Sequence, residues 1–445
     1  MPKKGILLHL SHVNRVNEIK PFELKIIDAL NESDYSVWQH LPINPPGKYN
    51  SPYSALSTFA GDLTLLSEKI EIKKDKEIFG KWIQENSFWI YDWTLFTILK
   101  KKFNNSEWFS WPDEYKFRNK EALKNLKSKN IEYIDKLILD QFEFEMKWQI
   151  IKQKANSKGI KLFGDLPFYV AMDSADVWTN PNLFDLSEQL EPLKIAGVPP
   201  DYFSSTGQIW ENPIYNWKEH RLNRFKWWKE RIKVNEKRFD LLRIDHFRAI
   251  VSGWCIEYGS ENAINGYWKR GPGKSLLEEI LTIIPSERII AEDLGHITNS
   301  VKKIMKKYKL KGMRVLQFGY GHGKKNEHHH KNVDKDTVCY VGTHDNNTAK
   351  GWFNEMKLKE RTTNFQSLLK EFKIEETNIS RKMIDIGMNT NSEYFIATIQ
   401  DVMNLSEEFR TNIPGKNEGN WILSFNQEKI IESIKNEKGD FGTHL

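Results

Sequence analysis

Short apolar runs that end in polar or charged residues alternate along the chain with longer stretches of mixed character. Eight such runs predict β-strands: Gly5–His9, Tyr35–Leu41, Ile160–Asp165, Asp240–Asp245, Arg288–Asp293, Met313–Phe318, Thr337–Gly342 and Asn420–Phe425. Because helix-like stretches separate the runs, they indicate right-handed βαβ units and a parallel sheet. A count of eight favours an α/β fold closed into a (β/α)8 TIM barrel over an open sheet.

The chain is longer than a barrel requires, so we expect helical and loop insertions between strands. A minimal barrel takes about 250 residues, which leaves roughly 200 of the 445 for insertions. We predict a single barrel over residues 1–445, a mainly helical insertion at 54–158 after the second strand and a loop-rich insertion at 166–238 after the third. Apolar residues recur every four positions at Ile134, Ile138, Phe142, Met146 and Ile150, which predicts a helix that ends before Gly159.

Charge and composition exclude several classes of protein. Lys and Arg number 66 against 60 Asp and Glu, and their clusters are short, unlike the basic stripe of a nucleic-acid-binding protein. No run of eighteen apolar residues occurs, and the N-terminus lacks the pattern of a secretory signal. Cys255 and Cys339 match no metal or redox spacing and are interpreted as reduced, structural thiols. We therefore expect a cytoplasmic protein that binds neither nucleic acid nor membrane.

Acidic residues follow several of the predicted strands, where a parallel barrel builds its active site. They are Asp165, Asp245, the pair Glu292 and Asp293, and Asp345. In the run before Asp245, alternation places Arg243 and Asp245 on one face and Leu242 and Ile244 on the opposite face, which should pack on helices.

Glu292 and Asp293 face opposite ways on their strand, and the periodicity leaves open which of the two points into the site. Several carboxylates in one pocket suit glycosyl transfer with retention, in which one carboxylate is the nucleophile and another, with a raised pKa, donates the proton. The alternative is that these acids cap helices or form buried ion pairs with Arg243 and Arg248. The 16 Trp, 15 Tyr and 25 Phe residues suit stacking on sugar rings but also suit a core.

Motifs along nearly the whole chain are similar to those of one family. They are SPYS from Ser51, GDLPFYVAMDSADVW from Gly164, VPPDYFSSTGQIWENPIYNW from Val198, LLRIDHFR from Leu241, AEDLG from Ala291, GMRVLQF from Gly312, GTHDNNT from Gly342 and NIPGKNEGNW ending at Trp421. In sequence and in order they resemble the amylomaltases, the 4-α-glucanotransferases of the α-amylase clan.

The resemblance implies a transferase that cleaves α-1,4-glucans and maltooligosaccharides and passes the fragment, held on the enzyme, to glucose or another sugar. Motif by motif, it implies that Asp245 is the nucleophile, that Glu292 is the general acid and base, and that Asp345 is the third carboxylate, which stabilises the transition state. It implies residues around the donor sugar at Tyr53, Asp165, Arg243 and His344. It implies an aromatic loop over the acceptor side, within the 166–238 insertion, at Tyr202, Phe203 and Trp210. No cofactor or metal is implied.

Some features of the chain leave alternatives open. The chain reads Leu10 to Asn14 where the family has a Thr-Ser-Leu-Pro stretch, and Glu211 stands where the family has a glycine. The run His328 to His330 is interpreted as a solvated loop rather than a metal site. We expect Arg243 to keep the pKa of Asp245 low, and either burial or a nearby carboxylate to keep Glu292 protonated. A hydrolase with the same carboxylates and a noncatalytic glucan-binding protein are the alternative functions.

Overall fold

The computed structural model describes residues 1–16, 18–73, 75–200, 204–321, 326–358, 363–416 and 418–436. These residues form the strands β1 (Lys3–Leu7), β2 (Val37–Gln39), β3 (Lys161–Leu166), β4 (Lys194–Val198), β5 (Gln208–Pro213), β6 (Leu241–Ile244), β7 (Ser252–Glu257), β8 (Tyr267–Arg270), β9 (Ile289–Ala291), β10 (Gly312–Val315), β11 (Thr337–Tyr340) and β12 (Tyr394–Thr398).

The helices in the same described ranges are α1 (Phe22–Glu32), α2 (Lys76–Asn86), α3 (Ile90–Lys102), α4 (Asp113–Lys116), α5 (Lys120–Ser128), α6 (Ile131–Ser157), α7 (Ala175–Thr179), α8 (Trp217–Leu222), α9 (Lys226–Arg238), α10 (Lys274–Leu281), α11 (Asn299–Tyr308), α12 (Ala349–Leu358), α13 (Thr363–Phe372), α14 (Ile379–Met388), α15 (Ile399–Val402) and α16 (Gln427–Asn436). None of these helices is both long and apolar enough to cross a membrane.

Eight parallel strands form the barrel in the order β1, β2, β3, β6, β9, β10, β11 and β12, and β12 pairs back onto β1. The barrel closes between β9 and β10 through one bridge, in which Ile290 lies opposite Lys311. At this seam the N–H of Ala291 donates to the carbonyl oxygen of Lys311 at 2.8 Å. The parallel barrel with helices between its strands confirms the predicted (β/α)8 fold class.

Alternate residues of each strand face either the barrel interior or the helices, as the period of two in a strand requires. Leu241 and Ile290 belong to the interior cluster, with Phe163 and Tyr340. Leu242 and Ile244 instead belong to the cluster that includes the helical residues Trp148 and Ile232, which confirms their predicted orientation. Arg243, between them on β6, therefore shares the interior face with Leu241.

The helix α6 has the apolar stripe that its sequence predicts. Ile134, Ile138 and Phe142 are buried, and Met146 and Ile150 pack partly buried against the same core. The helix ends at Ser157, and Gly159 follows with a φ of 74°. Glycine adopts this left-handed conformation without steric cost, so it terminates the helix as expected.

The prediction of the eighth strand at Asn420–Phe425 is wrong. Trp421 has a φ of 61°, Ile422 is 67% exposed, and in this segment only Phe425 makes a single bridge, to Val13. The eighth barrel strand is β12, whose five residues are all buried between β11 and β1. Its tyrosine, phenylalanine, isoleucine and threonine favour a pleated, buried strand.

A second sheet is antiparallel, with the order β5, β4, β7 and β8. Two of its strands, β4 and β5, come from the segment expected to be rich in loops, and the other two follow β6. The sheet therefore joins the long connection after β3 to the connection after β6. Cys255 on β7 and Cys339 on β11 are both free and buried.

Trp148 ties α6 to the residues that lead into β6. Its side chain is fully buried, its Nε1 donates to the carbonyl oxygen of Arg238 at 2.9 Å, and its ring meets that of Phe239 edge-on at 5.5 Å. Trp148→Ala should lower the free energy of unfolding by about 3–5 kcal/mol, because it leaves a large cavity. Trp148→Phe should cost clearly less. Urea unfolding followed by circular dichroism tests this, and equal losses in the two variants would contradict the packing explanation.

Candidate active site

The carboxyl ends of four barrel strands bring the predicted residues together. Asp165 lies on β3, Asp245 follows β6, Glu292 follows β9 and Asp345 lies after β11. A series of direct contacts, described below, links these four acids to Tyr53, Trp210, Arg243 and His344. Tyr202 and Phe203 lie outside the described residues, so their predicted place in the acceptor loop stays a prediction.

The guanidinium of Arg243 lies between two carboxylates. Its Nη1 contacts Asp165 Oδ2 at 2.6 Å, and its Nη2 contacts Asp245 Oδ1 at 2.7 Å. The Tyr53 hydroxyl donates to the same Asp165 oxygen at 2.7 Å. The other oxygen of Asp165 is buried without a hydrogen-bond partner among the described residues. A buried acceptor of this kind suits the hydroxyl of a bound sugar.

The pKa of Asp245 is higher than the sequence predicts. Burial raises its pKa to about 8; Arg243 opposes this shift, whereas the neighbouring carboxylates of Asp165, Glu292 and Asp345 add to it. The expectation of a low pKa considered the contact with Arg243 alone. One guanidinium shared between two carboxylates does not fully offset the burial of the whole acidic group.

The structure resolves which acid after β9 faces the site. Both oxygens of Glu292 accept backbone N–H groups at 2.8 Å, one from His246, next to Asp245, and one from Leu294. Asp293 turns to the neighbouring strand, where it pairs with Arg314 at 3.0 Å and accepts the N–H of Met313. Burial raises the pKa of Glu292, while Arg243 and the two N–H groups oppose the shift.

Asp345 is held by residues from two segments. His344 Nε2 lies 3.3 Å from its Oδ2, and the side chain of Asn412 donates to its Oδ1 at 2.6 Å. The guanidinium of Arg410 donates to its backbone carbonyl oxygen. The ring of His344 stacks on Tyr53, with centroids 5.1 Å apart and an angle of 16° between the rings. The third carboxylate is therefore joined to the Asp165 and Arg243 group through these two rings.

Trp210 brings an aromatic face beside the carboxylates. Its ring meets His246 edge-on, with centroids 4.7 Å apart. Burial and the nearby Arg248 lower the pKa of His246 to about 3, so this histidine is neutral. Its Nε2 is buried without a hydrogen-bond partner in the described part of the chain. Trp210 and His246 together present an apolar face and a polar nitrogen, which suits a sugar ring.

Several residues at the site were not singled out from the sequence. Asn412 and Trp421 lie at the two ends of a motif that was recognised without roles, and Trp421 packs on Tyr53 and His344 with centroids 5.8 and 5.9 Å away. His12, in the unusual segment after β1, is buried, and burial and the nearby His344 lower its pKa to about 4. Asn412 and Trp421 could have been found from the motif NIPGKNEGNW, which begins and ends with them. His12 could have been found because it lies in the segment that departs from the family pattern.

The histidine run does not match the interpretation as a solvated loop. His328, His329 and His330 are all partly buried, and His328 Nδ1 accepts the N–H of Val315 at 3.1 Å. Among the described residues, no group of three or more His, Cys, Asp or Glu side chains is arranged to hold a metal ion.

The parallel barrel has carboxylates at its strand ends, a buried arginine between two of them and aromatic rings alongside. This arrangement is typical of an enzyme that acts on glycosidic bonds. Residues 66–428 match the 4-alpha-glucanotransferase family. The chain belongs to this family, which is glycoside hydrolase family 77.

Relatives are similar along the full chain. The 4-alpha-glucanotransferase of Aquifex aeolicus is 37% identical over 99% of both chains. That of Clostridium butyricum is 36% identical over 92% of this chain and 93% of its own. The structure of amylomaltase from Streptococcus agalactiae in complex with acarbose superimposes with a TM-score of 0.89, at 28% identity and 98% coverage of both chains.

The raised pKa of Asp245 predicts that this site destabilises the fold at alkaline pH. The folded state binds a proton at the neighbouring Asp245 and Glu292 carboxyl groups more tightly than the unfolded chain does, so stability falls as the pH rises from about 4 to about 8. Asp245→Asn removes the buried charge and should raise the Tm by about 2 °C or more at pH 8.5. The gain should shrink below pH 5.

Thermal unfolding of both proteins across this pH range tests the effect. Asp336→Asn, at an exposed acid, serves as the control and should leave the Tm nearly unchanged at every pH. A gain from Asp245→Asn that does not depend on pH would contradict the assignment.

Proposed function

We propose that this 4-alpha-glucanotransferase works by retaining double displacement, with Asp245 as the nucleophile and Glu292 as the general acid and base. The observation that supports this most is the geometry around Asp245. Its carboxylate is paired with Arg243 at 2.7 Å, and the backbone N–H of the next residue, His246, donates to Glu292. Asp245 carries one carboxyl group, and the next residue, His246, holds the other through its N–H. This link restrains the distance between the two carboxyl groups.

In the first step an Asp245 oxygen attacks the anomeric carbon of the donor, and the glycosidic C–O bond breaks. Glu292 gives its proton to the leaving oxygen, and the fragment stays on Asp245 as a β-linked ester. In the second step the hydroxyl of an acceptor sugar attacks the same carbon and gives its proton to Glu292. Two inversions restore the α configuration.

The proton that this scheme requires is held by a coupled group of acids. Burial raises the pKa of both Asp245 and Glu292, and because the two carboxyl groups interact, the proton that they bind belongs to the pair. Arg243 donates to Asp245, which favours the form in which Asp245 is ionised and Glu292 carries the proton. Arg243 interacts with both acids but, of the two, contacts only Asp245 directly, so in this proposal the charge lies on Asp245 and the proton on Glu292 when the reaction starts.

We assign the donor sugar to the side lined by Tyr53, Asp165, Arg243 and His344, with Asp345 holding its hydroxyl groups. The buried, unpartnered oxygen of Asp165 supports this assignment. We assign the acceptor to the side of Trp210, where Tyr202 and Phe203 are also expected. Donors are α-1,4-glucans and maltooligosaccharides, and acceptors include glucose. The cytoplasmic location expected from the sequence stays a prediction.

Hydrolysis is the competing reaction, because water can take the place of the sugar acceptor in the second step. The family and the names of its members favour transfer. They also weigh against a binding protein without activity.

Incubation with maltotriose tests the transfer reaction directly. The expected result is a ladder of longer and shorter chains, with free glucose, while the total of reducing ends stays constant. Transfer exchanges one glycosidic bond for another, whereas each hydrolysis creates one reducing end. A steady rise in reducing ends would show a hydrolase, and unchanged maltotriose and maltodextrins with folded protein would show a binding role.

Glu292→Gln tests the acid and base. It should lower kcat/KM for maltotriose by about 10²–10⁴-fold, because the leaving oxygen then departs without a proton. With α-maltotriosyl fluoride the first turnover should slow much less, because fluoride needs little protonation. The second step still lacks its base, so a glycosyl adduct should accumulate, and peptide mass spectrometry should find it on Asp245.

Asp336→Asn is the control, since this exposed acid lies outside the proposed machinery. It should leave the ratio between the two substrates as in the parent enzyme. Equal losses on both substrates in Glu292→Gln, or an adduct on another residue, would refute the assignment.

A further inference from the structure

The strand that carries Trp210 contains a bulge. Ile195 on β4 lies opposite Pro213 and Gly197 lies opposite Ile209, so two steps along β4 match four steps along β5. Three consecutive residues of β5, Trp210 to Asn212, therefore occupy the space of one. A bulge of this kind changes the direction of side chains and is common beside active sites.

The three residues of the bulge reach three different places. Trp210 meets His246, as described above. The side chain of Asn212 donates to the carbonyl oxygen of Val170, in the loop after β3, at 2.8 Å. Glu211 Oε2 lies 2.9 Å from Lys48 Nζ, in the turn that leads to Tyr53.

The Lys48–Glu211 ion pair lies between two segments of strained backbone. Glu211 has a φ of 60°, and Tyr49, which follows Lys48, has a φ of 59°. Left-handed backbone is disfavoured for residues other than glycine, asparagine and aspartate, and it persists where other contacts hold it. Both side chains are partly exposed, at 48% and 63%, so the pair lies at the protein surface.

We propose that the Lys48–Glu211 pair is a positioning device, which fixes the acceptor wall at Trp210 relative to the donor wall at Tyr53 and so favours sugar over water in the second step. This inference rests on the proposed function. Lys48 is five residues from Tyr53, which contacts Asp165, and Glu211 is next to Trp210, which contacts the residue after Asp245. The pair therefore joins the two sides of the site directly, without passing through the barrel.

The expected effect is modest and specific to one step. An ion pair this exposed changes an equilibrium by about two- to fivefold. Formation of the glycosyl-enzyme depends on Asp245, Glu292 and Arg243, none of which contacts the pair, so it should not change. Binding of the acceptor depends on the position of Trp210, so KM for the acceptor should rise and hydrolysis should gain at the expense of transfer.

A double-mutant cycle tests the proposal. Lys48→Met, Glu211→Gln and the double variant should each raise KM for glucose as acceptor by about two- to fivefold, with no further loss in the double variant. The first-turnover burst of fluoride from α-maltotriosyl fluoride should stay as in the parent enzyme. Lys48→Arg keeps the pair and should keep the acceptor KM.

Two further variants distinguish loss of the Lys48–Glu211 ion pair from loss of any surface ion pair and from a change in backbone strain. Lys237→Met breaks a surface pair with Glu85 of the same 2.9 Å length and should not change the acceptor KM. Glu211→Gly suits the left-handed backbone but lacks the carboxylate, so it should match Glu211→Gln. Recovery of the parent KM in Glu211→Gly, or single variants equal to the parent, would overturn the positioning role. Absence of any fluoride release by the parent enzyme would instead overturn the proposed function.

Discussion

The arrangement of the site depends on one guanidinium held between two strands. β3 and β6 pair so that Asp165 lies directly opposite Arg243, and Asp245 follows two residues later on the same face. The arginine can therefore contact both carboxylates, at 2.6 and 2.7 Å. A shift of the strand register by one residue would turn Leu242 into the barrel and Arg243 toward the helices. The packing of Leu242 and Ile244 on the helical layer prevents such a shift, so the hydrophobic core fixes the electrostatics of the site.

The alternation of residues along β6 was sufficient to predict this orientation, because a strand with one face on helices has only one acceptable register. Seven barrel strands could be located for the same reason. The eighth could not, because the apolar residues after Asn420 resemble a strand in composition but form an irregular loop, with Ile422 exposed and Trp421 in a left-handed conformation. The contacts of Asn412 and Trp421 depend on how distant loops meet at the rim, and no local pattern encodes them.

The titration of Asp245 shows a second limit of local reasoning. Its sequence neighbour Arg243 indicated a low pKa, whereas the fold brings Asp165, Glu292 and Asp345 close to it and excludes water. Burial of several like charges opposes folding, and Arg243, which contacts two of these carboxylates, offsets part of this cost. The same burial leaves Asp165 Oδ1 and His246 Nε2 without partners in the described chain, ready for the hydroxyl groups of a substrate.

One side of the site is held by the barrel and the other by an edge strand. We expect this difference to affect whether sugar or water completes the reaction. The proposed donor side stands on barrel strands whose register is fixed by the core. The proposed acceptor side stands on β5, an edge strand of the smaller sheet, where a bulge sets the direction of Trp210. An edge strand lacks a neighbour on one side, so its position depends on side-chain contacts such as Asn212 with Val170 and Glu211 with Lys48. In the proposed mechanism, formation of the glycosyl-enzyme thus depends on the barrel, while its partition between sugar and water depends on a few contacts around β5.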